Sequence, residues 1–174
     1  SKRCSNILKK ISKKEISDDQ FIKLIKVESL LEEIIISFEE TSDKKITLLE
    51  NEDKNKINIK RSPEIVFGLR NFIGNAIKFA DREVRIKLIS DEQNLVLIIN
   101  DDGPGFAEDI IKLIGEPYLK SSSKQISGKA GLGLGIFLGK TLLERKNAQL
   151  TFFNKEDLKG ATVKIAWSIF DIKN

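Results

Sequence analysis

The stretch from Ser62 to Asn100 constrains the fold most, because it changes its hydrophobic period once and almost without a linker. From Pro63 to about Ala80, the residues Ile65, Val66, Leu69, Phe72, Ile73, Ala76 and Ile77 recur at helical spacing. Ser62 is placed to cap the first turn and Pro63 is suited to open it. Two strand-like segments follow, Val84–Ile89 and Leu95–Asn100, joined by the turn-forming Ser-Asp-Glu-Gln-Asn. A helix with one apolar face must cover something, and a neighbouring pair of strands brings an apolar face of its own. Helix packed on sheet is the simplest solution.

The remaining segments extend that arrangement. Residues 21–27 read as a strand, residues 28–40 as an amphipathic helix, and "KITLLENEDKNKINIKRS" as a hairpin of two strands around a polar turn at Asn51–Asn55. Residues 107–114 suggest a short helix, and "GEPYLKSSSKQISGKAG" is polar and without period. A helix from Leu132 to Lys146 is expected to stop at Asn147, with Leu150–Asn154 and Ala161–Phe170 forming a closing hairpin. Strands and helices mix without regular alternation. The expected fold class is therefore α/β: a two-layer sandwich with a mixed, mainly antiparallel sheet and helices packed on one face. At the other end, Cys4, Ile7, Leu8 and Ile11 fall on one side of a helix-like stretch at 3–14 that "SDD" interrupts.

Composition removes several function classes. With 174 residues and 40% hydrophobic content, the chain can bury one real core. Its net charge of +4 is spread over 30 basic and 26 acidic residues, so no nucleic-acid partner is expected, because tracking phosphates needs a clustered basic face. No apolar run approaches the ~20 residues of a membrane span, and no signal peptide is visible. One cysteine rules out an intrachain disulfide framework. The absence of methionine, even at position 1, leads us to expect a portion of a longer protein, although removal of an initiator methionine would look the same. The absence of histidine means that any imidazole chemistry must be supplied from outside.

Three motifs carry chemistry. Asn71, Asn75 and Lys78 lie at i, i+4 and i+7, so they share a stripe beside the apolar face of their helix. Two carboxamides and an ammonium suit a Mg²⁺–phosphate group, although a polar stripe is also ordinary in a chain rich in Lys and Asn. "DDGPGF" follows an apolar strand; a carboxylate held there by a tight turn can accept from an exocyclic amine, while Asp-Gly and Gly-Pro are also generic turn formers. "GKAGLGLGIFLGKT" ends like a phosphate-binding P-loop, yet its spacing would put the first glycine at Leu134. A dinucleotide fingerprint would require glycine at Ile136 or Leu138. What survives is a glycine-rich turn opening into a helix N-terminus, which can receive an anion.

Taken in order, N-x-x-x-N-A-x-K-F (Asn71–Phe79), D-x-G-x-G (Asp101–Gly105) and G-L-G-L-G (Gly131–Gly135) resemble the N, G1 and G2 boxes of the GHKL, or Bergerat, ATP-binding fold. More specifically they resemble the catalytic domain of sensor histidine kinases, over about Lys26 to Phe170. "GEPY" (115–118), "GLGLGIFLGKTLLER" (131–145) and "RCSNIL" (3–8) are similar to the RegB/PrrB-like, redox-responsive branch.

The resemblance implies ATP and Mg²⁺ as cofactors. Asn75 would hold the metal, with Asn71 nearby and Lys78 on phosphate, making Asn71 and Lys78 the catalytic pair. Asp101 would bind the adenine amine, Gly103 and Gly105 would shape that pocket, and Phe79 would border it. The segment from about Ala107 to Ala130, with Tyr118, Lys120 and Lys129, would form a lid, and Gly131, Leu132 and Gly133 would meet the phosphates. Lys129 and Ala130 stand where the family usually has Gly-Thr, which implies an altered phosphate loop. ATPases of the fold carry a glutamate where this chain has Asn71, so the resemblance implies transfer to a protein acceptor rather than hydrolysis.

It also implies boundaries and partners. Residues 1–15 would end the second helix of a dimerising hairpin that carries the phosphoacceptor histidine, 16–25 would be a linker and first strand, and 26–174 the catalytic domain. The partners would be that hairpin and a response regulator, in a homodimer when full-length, with this fragment able to be monomeric. The location would be the cytosolic portion of a membrane-anchored sensor. Cys4 would be redox-active in the RegB-like reading, or a packing residue on the Ile7/Ile11 stripe. Two other functions stay open: a serine-directed kinase of the same fold, resembling the anti-sigma-factor kinases, and a non-catalytic module that senses nucleotide or binds a partner.

Overall fold

The computed structural model describes residues 24–50, 57–114, 132–156 and 159–173. The elements run β1 (Leu24–Lys26), α1 (Val27–Glu39), β2 (Lys45–Glu50), β3 (Asn58–Lys60), α2 (Pro63–Phe79), β4 (Glu83–Ser90), β5 (Asn94–Asp101), α3 (Glu108–Ile114), α4 (Leu132–Glu144), β6 (Gln149–Asn154), β7 (Ala161–Ser168) and α5 (Ile169–Lys173). The stretch at 3–14 and most of the expected lid lie outside the described residues.

Helix α2 forms as its residues dictate. The Ser62 side chain accepts from the Ile65 N–H at 3.3 Å, a cap worth about 1 kcal/mol, and Pro63 occupies the first turn, where no N–H is missed. Ile65, Leu69, Phe72, Ile73, Ala76 and Ile77 are all buried. Strands β2, β4, β5, β7 and β6 form a five-stranded sheet in that order, parallel between β2 and β4 and antiparallel elsewhere. Strand parity puts Ile86, Leu88, Leu95, Leu97, Ile99, Val163, Ile165 and Trp167 on the buried face, while Arg85, Lys87 and Lys164 project from the other. Among the described residues helices cover only the first face, so the expected two-layer α/β sandwich is the one observed.

Helix α4 packs extensively on α2, and the contact uses missing side chains. A Cβ on Gly68 would stand 2.6 Å from Leu143, and one on Gly139 would stand 2.9 Å from the Phe72 ring. Gly139 is thus a contact residue in mid-helix, so the P-loop-like Gly-Lys-Thr is a coincidence of packing. The helix closes as expected: Asn147 takes a φ of 63°, its N–H reaches the Glu144 carbonyl at 2.9 Å, and the Ala148 N–H reaches that of Leu143 at 3.1 Å.

Two expectations are corrected. The segments 45–50 and 58–60 do not pair as a hairpin: β2 joins β4 in parallel, and β3 pairs antiparallel with β1 in a separate two-stranded sheet. Polar turn chemistry reports a reversal, not a partner. Ile46 and Leu48 align with Val84 and Ile86, whose face already lies under helices, and that burial decides the pairing. The last strand also stops at Ser168 rather than Phe170. The Ser168 hydroxyl accepts from the Asp171 N–H at 3.1 Å and starts α5, leaving Phe170 exposed.

Candidate functional site

Strand β5 carries Leu95, Leu97 and Ile99 inward, and the same parity turns Asp101, its last residue, inward too. Asp101 is only 5% exposed. One of its oxygens, Oδ1, accepts from the Gly103 N–H at 2.9 Å and from the Ala161 N–H at 3.3 Å. Burial pushes its carboxyl above the ordinary range; those two N–H groups pull the other way and do not fully offset it. Two glycines allow this crowding. A Cβ on Gly103 would collide with the Phe79 carbonyl, and one on Gly160, at φ 125°, with the carbonyl of Asp101.

Above this carboxylate opens a slot walled by Phe72, Ala76, Phe79, Ile99, Phe106, Ile136, Ala161 and Val163, with Asn75 and Gly105 at its edge. Phe152 stacks obliquely on Phe72 at 5.8 Å and meets Phe106 edge-on at 6.1 Å between ring centres. Asn154 fixes the loop that carries Phe106: its Oδ1 accepts from the Phe106 N–H at 2.7 Å and its Nδ2 donates to the Phe106 carbonyl at 2.8 Å. A flat apolar slot with one buried acceptor suits a heteroaromatic ring bearing an amine.

A second, wetter groove runs along α2. Its lining includes Asn71, Asn75 and Lys78, with Arg70 and the apolar Phe38, Phe67, Leu138 and Leu142. Asn75 lines both spaces. Its Nδ2 is buried without a hydrogen-bond partner, and a Cβ on Gly135 would stand 3.4 Å from it. An orphaned carboxamide aimed at a junction between slot and groove is a ligand-directed feature. Lys78 is exposed, with its Nζ 5.5 Å from the Phe79 ring centre.

The structure therefore brings Asn75, Phe79, Asp101 and Gly105 together around the slot, seats Gly103 against Asp101, and leaves Asn71 and Lys78 in the adjoining groove. Leu132 and Gly133 open α4. Tyr118, Lys120, Lys129, Gly131 and Cys4 lie outside the described residues. Sequence reasoning missed Gly160, Asn154 and Phe106. A glycine directly before an alternating strand was the available signal for Gly160; nothing local marks Asn154, whose partner is 48 residues away.

Residues 61–169 match the family of histidine kinase-, DNA gyrase B-, and HSP90-like ATPases. Among curated proteins, sensor histidine kinase RegB of Cereibacter sphaeroides is 38% identical over 126 residues, covering 64% of this chain and 27% of RegB. The chain thus spans about a quarter of that relative's length. Among solved structures, a mycobacterial sensor histidine kinase, MprB, superposes with a TM-score of 0.65 at 16% identity, over 84% of this chain and 96% of that one. Full-length ShkA in complex with AMPPNP gives a TM-score of 0.63 at 19% identity, over 82% of this chain and 30% of ShkA.

Proposed function

Because this chain belongs to the family of histidine kinase-, DNA gyrase B-, and HSP90-like ATPases, we propose that it binds Mg-ATP and donates the γ-phosphoryl group to a histidine on a separate helical hairpin, within a two-component sensor kinase. The carrying observation is the buried carboxylate of Asp101 at the base of an apolar slot, continuous through Asn75 with a polar groove.

In this reading the adenine ring lies between Phe79, Phe106 and Ile99, and its amine donates to Asp101. The phosphates run past Asn75 into the groove, where Lys78 neutralises and Asn71 orients them. Among the described residues no cluster of three or more His, Cys, Asp or Glu could hold a metal. The Asn75 carboxamide, whose Nδ2 has no hydrogen-bond partner, would offer its oxygen to Mg²⁺ carried in with the nucleotide. Bound there, Mg²⁺ would supply charge neutralisation on the phosphates. Asn71, an amide, is a poor base for activating water, which favours transfer over hydrolysis.

The open side of the groove suits a protein acceptor. Phe67 and Leu138 are 60% and 54% exposed beside Asn71 and Lys78, an apolar rim on which a helical hairpin can rest. In the transfer, a bond forms from an imidazole nitrogen of the acceptor to the γ-phosphorus. The bond to the β–γ bridging oxygen breaks, and ADP leaves. The similarity to RegB supports a redox-responsive sensor, with Cys4 as its candidate thiol and a response regulator downstream. Among the described residues no helix is long and apolar enough to cross a membrane, so membrane anchoring belongs in this reading to other parts of the protein.

The test supplies the chain with labelled ATP, Mg²⁺ and the histidine hairpin of the full-length protein. Label on the hairpin that is lost in acid and kept in base supports histidine transfer. Acid-stable label on serine favours the serine-directed kinase. Nucleotide binding without any transfer favours the binding module.

A further inference from the structure

Asp102 lies beside the slot carboxylate but points away from it, and its contacts are unlike those of an ordinary turn residue. Its Oδ1 accepts from the backbone N–H groups of Asp81 at 2.8 Å, Arg82 at 3.0 Å and Glu83 at 3.1 Å, and its Oδ2 accepts from Arg82 at 3.2 Å. The Asp102 N–H returns a bond to the Glu83 carbonyl at 3.3 Å. Burial alone would raise this carboxyl, yet the N–H groups of Arg82, Glu83 and Asp81 hold it below the ordinary range. The opposite side of the same corner is held by a cation. Lys44 Nζ donates to the carbonyls of Ala80 and Asp81, and the Lys45 N–H donates to the Arg82 carbonyl at 2.9 Å. The corner's donors thus meet an anion and its acceptors a cation and a strand.

That corner follows directly on Phe79, the last residue of α2, whose carbonyl sits against Gly103. A helix is stiff over one or two turns, so a shift at Ala80–Glu83 is transmitted to Asn75 and Lys78. We propose that Asp102 is a positioning residue that bolts the end of α2 to the end of β5, and so fixes the separation between Asp101 in the slot and Asn75 at the groove. The distance at issue has functional meaning only if the slot holds a base and the groove its phosphates, so the inference rests on the ATP reading. Its structural half is independent of that reading.

The experiment uses Asp102→Ala and Asp102→Asn, the second keeping an acceptor oxygen without the charge. In the nucleotide-free chain, amide exchange at Asp81, Arg82 and Glu83 should quicken about tenfold or more in Asp102→Ala, and the Asn75 side-chain amide resonances should move. Asp102→Asn should restore part of both. Titration with AMPPNP, with and without Mg²⁺, and with adenosine gives the second readout. The gain in affinity from Mg²⁺ should fall about fivefold or more, while adenosine affinity changes less than about twofold. A merely structural role would weaken both alike, and that result overturns the proposal. So does an unmoved Asn75 resonance. If the unsubstituted chain binds no nucleotide, the ATP reading fails, and the exchange and resonance data alone decide whether Asp102 couples the corner to Asn75. Should Asp102→Ala not fold, Asp102→Asn carries both readouts.

Discussion

The slot around Asp101 and the groove along Asn71 and Lys78 share Asn75, yet opposite means build them. Slot walls come from α2, β5, α4, β7 and the loop at Phe106, and they leave a carboxylate 5% exposed. The groove's polar groups come mainly from one helix at i, i+4 and i+7, and Lys78 is exposed. Desolvation makes one hydrogen bond in the slot discriminating, because a mismatched group there has no water to turn to. In the groove, charges remain close to solvent and each is worth less, but a second protein can reach them. In the proposed function, selectivity for a base belongs to the first region and access for an acceptor to the second.

Breaking the wall common to both regions should have the largest effect. Gly139→Ala places a methyl 2.9 Å from the Phe72 ring and 3.3 Å from the Asn71 Cβ, so thermal unfolding should show a loss of about 1–3 kcal/mol. An unchanged melting temperature would mean that α2 and α4 separate easily. Next, Asn75→Ala should remove the Mg²⁺ dependence of AMPPNP affinity, about a tenfold loss with Mg²⁺ present and little without it. Equal losses under both conditions would assign Asn75 to the slot alone.

Acidification separates the regions further. In the proposed function the ionised form of Asp101 is the acceptor; because its pKa is raised, nucleotide affinity should be full above that pKa and decline as pH falls through it. The decline starts above the ordinary Asp value of about 3.9. Asp102 has the opposite sign: its pKa is depressed, so its contribution to stability is full above the unfolded value and is lost progressively from there as pH falls through the lower, folded one. Affinity should therefore fail before stability does, as titration and unfolding at matched pH would reveal; Asp101→Asn should abolish that acid dependence of affinity. The smallest effect concerns the rim. Phe67→Ser, at a residue 60% exposed, should change stability by less than about 0.5 kcal/mol and leave AMPPNP affinity unchanged, while transfer to the hairpin slows.

What could be read in advance follows the same division. The stripe of α2, its Ser62 cap, the inward parity of β5 and the left-handed stop at Asn147 are encoded within a turn or two of chain. Asn71, Asn75 and Lys78 could be grouped because helical spacing alone puts them together. Partner choice is different. Nothing in residues 45–60 says that β2 pairs with β4 and β3 with β1, since either pairing satisfies the alternation and only the burial of distant Val84 and Ile86 decides. Asp102 looked like half of a turn-forming Asp-Gly; its role at the corner depends on residues about 20 positions earlier. Asn154 was unreadable for the same reason, its partner lying 48 positions upstream; Gly160 had a local signal as a glycine before a strand, but not the identity of its neighbour, Asp101.

The proposed function turns on the slot reading an exocyclic amine through Asp101. The most direct measurement compares binding of ATP and of inosine triphosphate, which carries a carbonyl where adenine has its amine, to the unsubstituted chain and to Asp101→Asn. The unsubstituted chain should prefer ATP by about tenfold or more, the worth of one hydrogen bond to a buried charge, and Asp101→Asn should lose most of that preference. Equal affinity for the two nucleotides in the unsubstituted chain would contradict the proposed function.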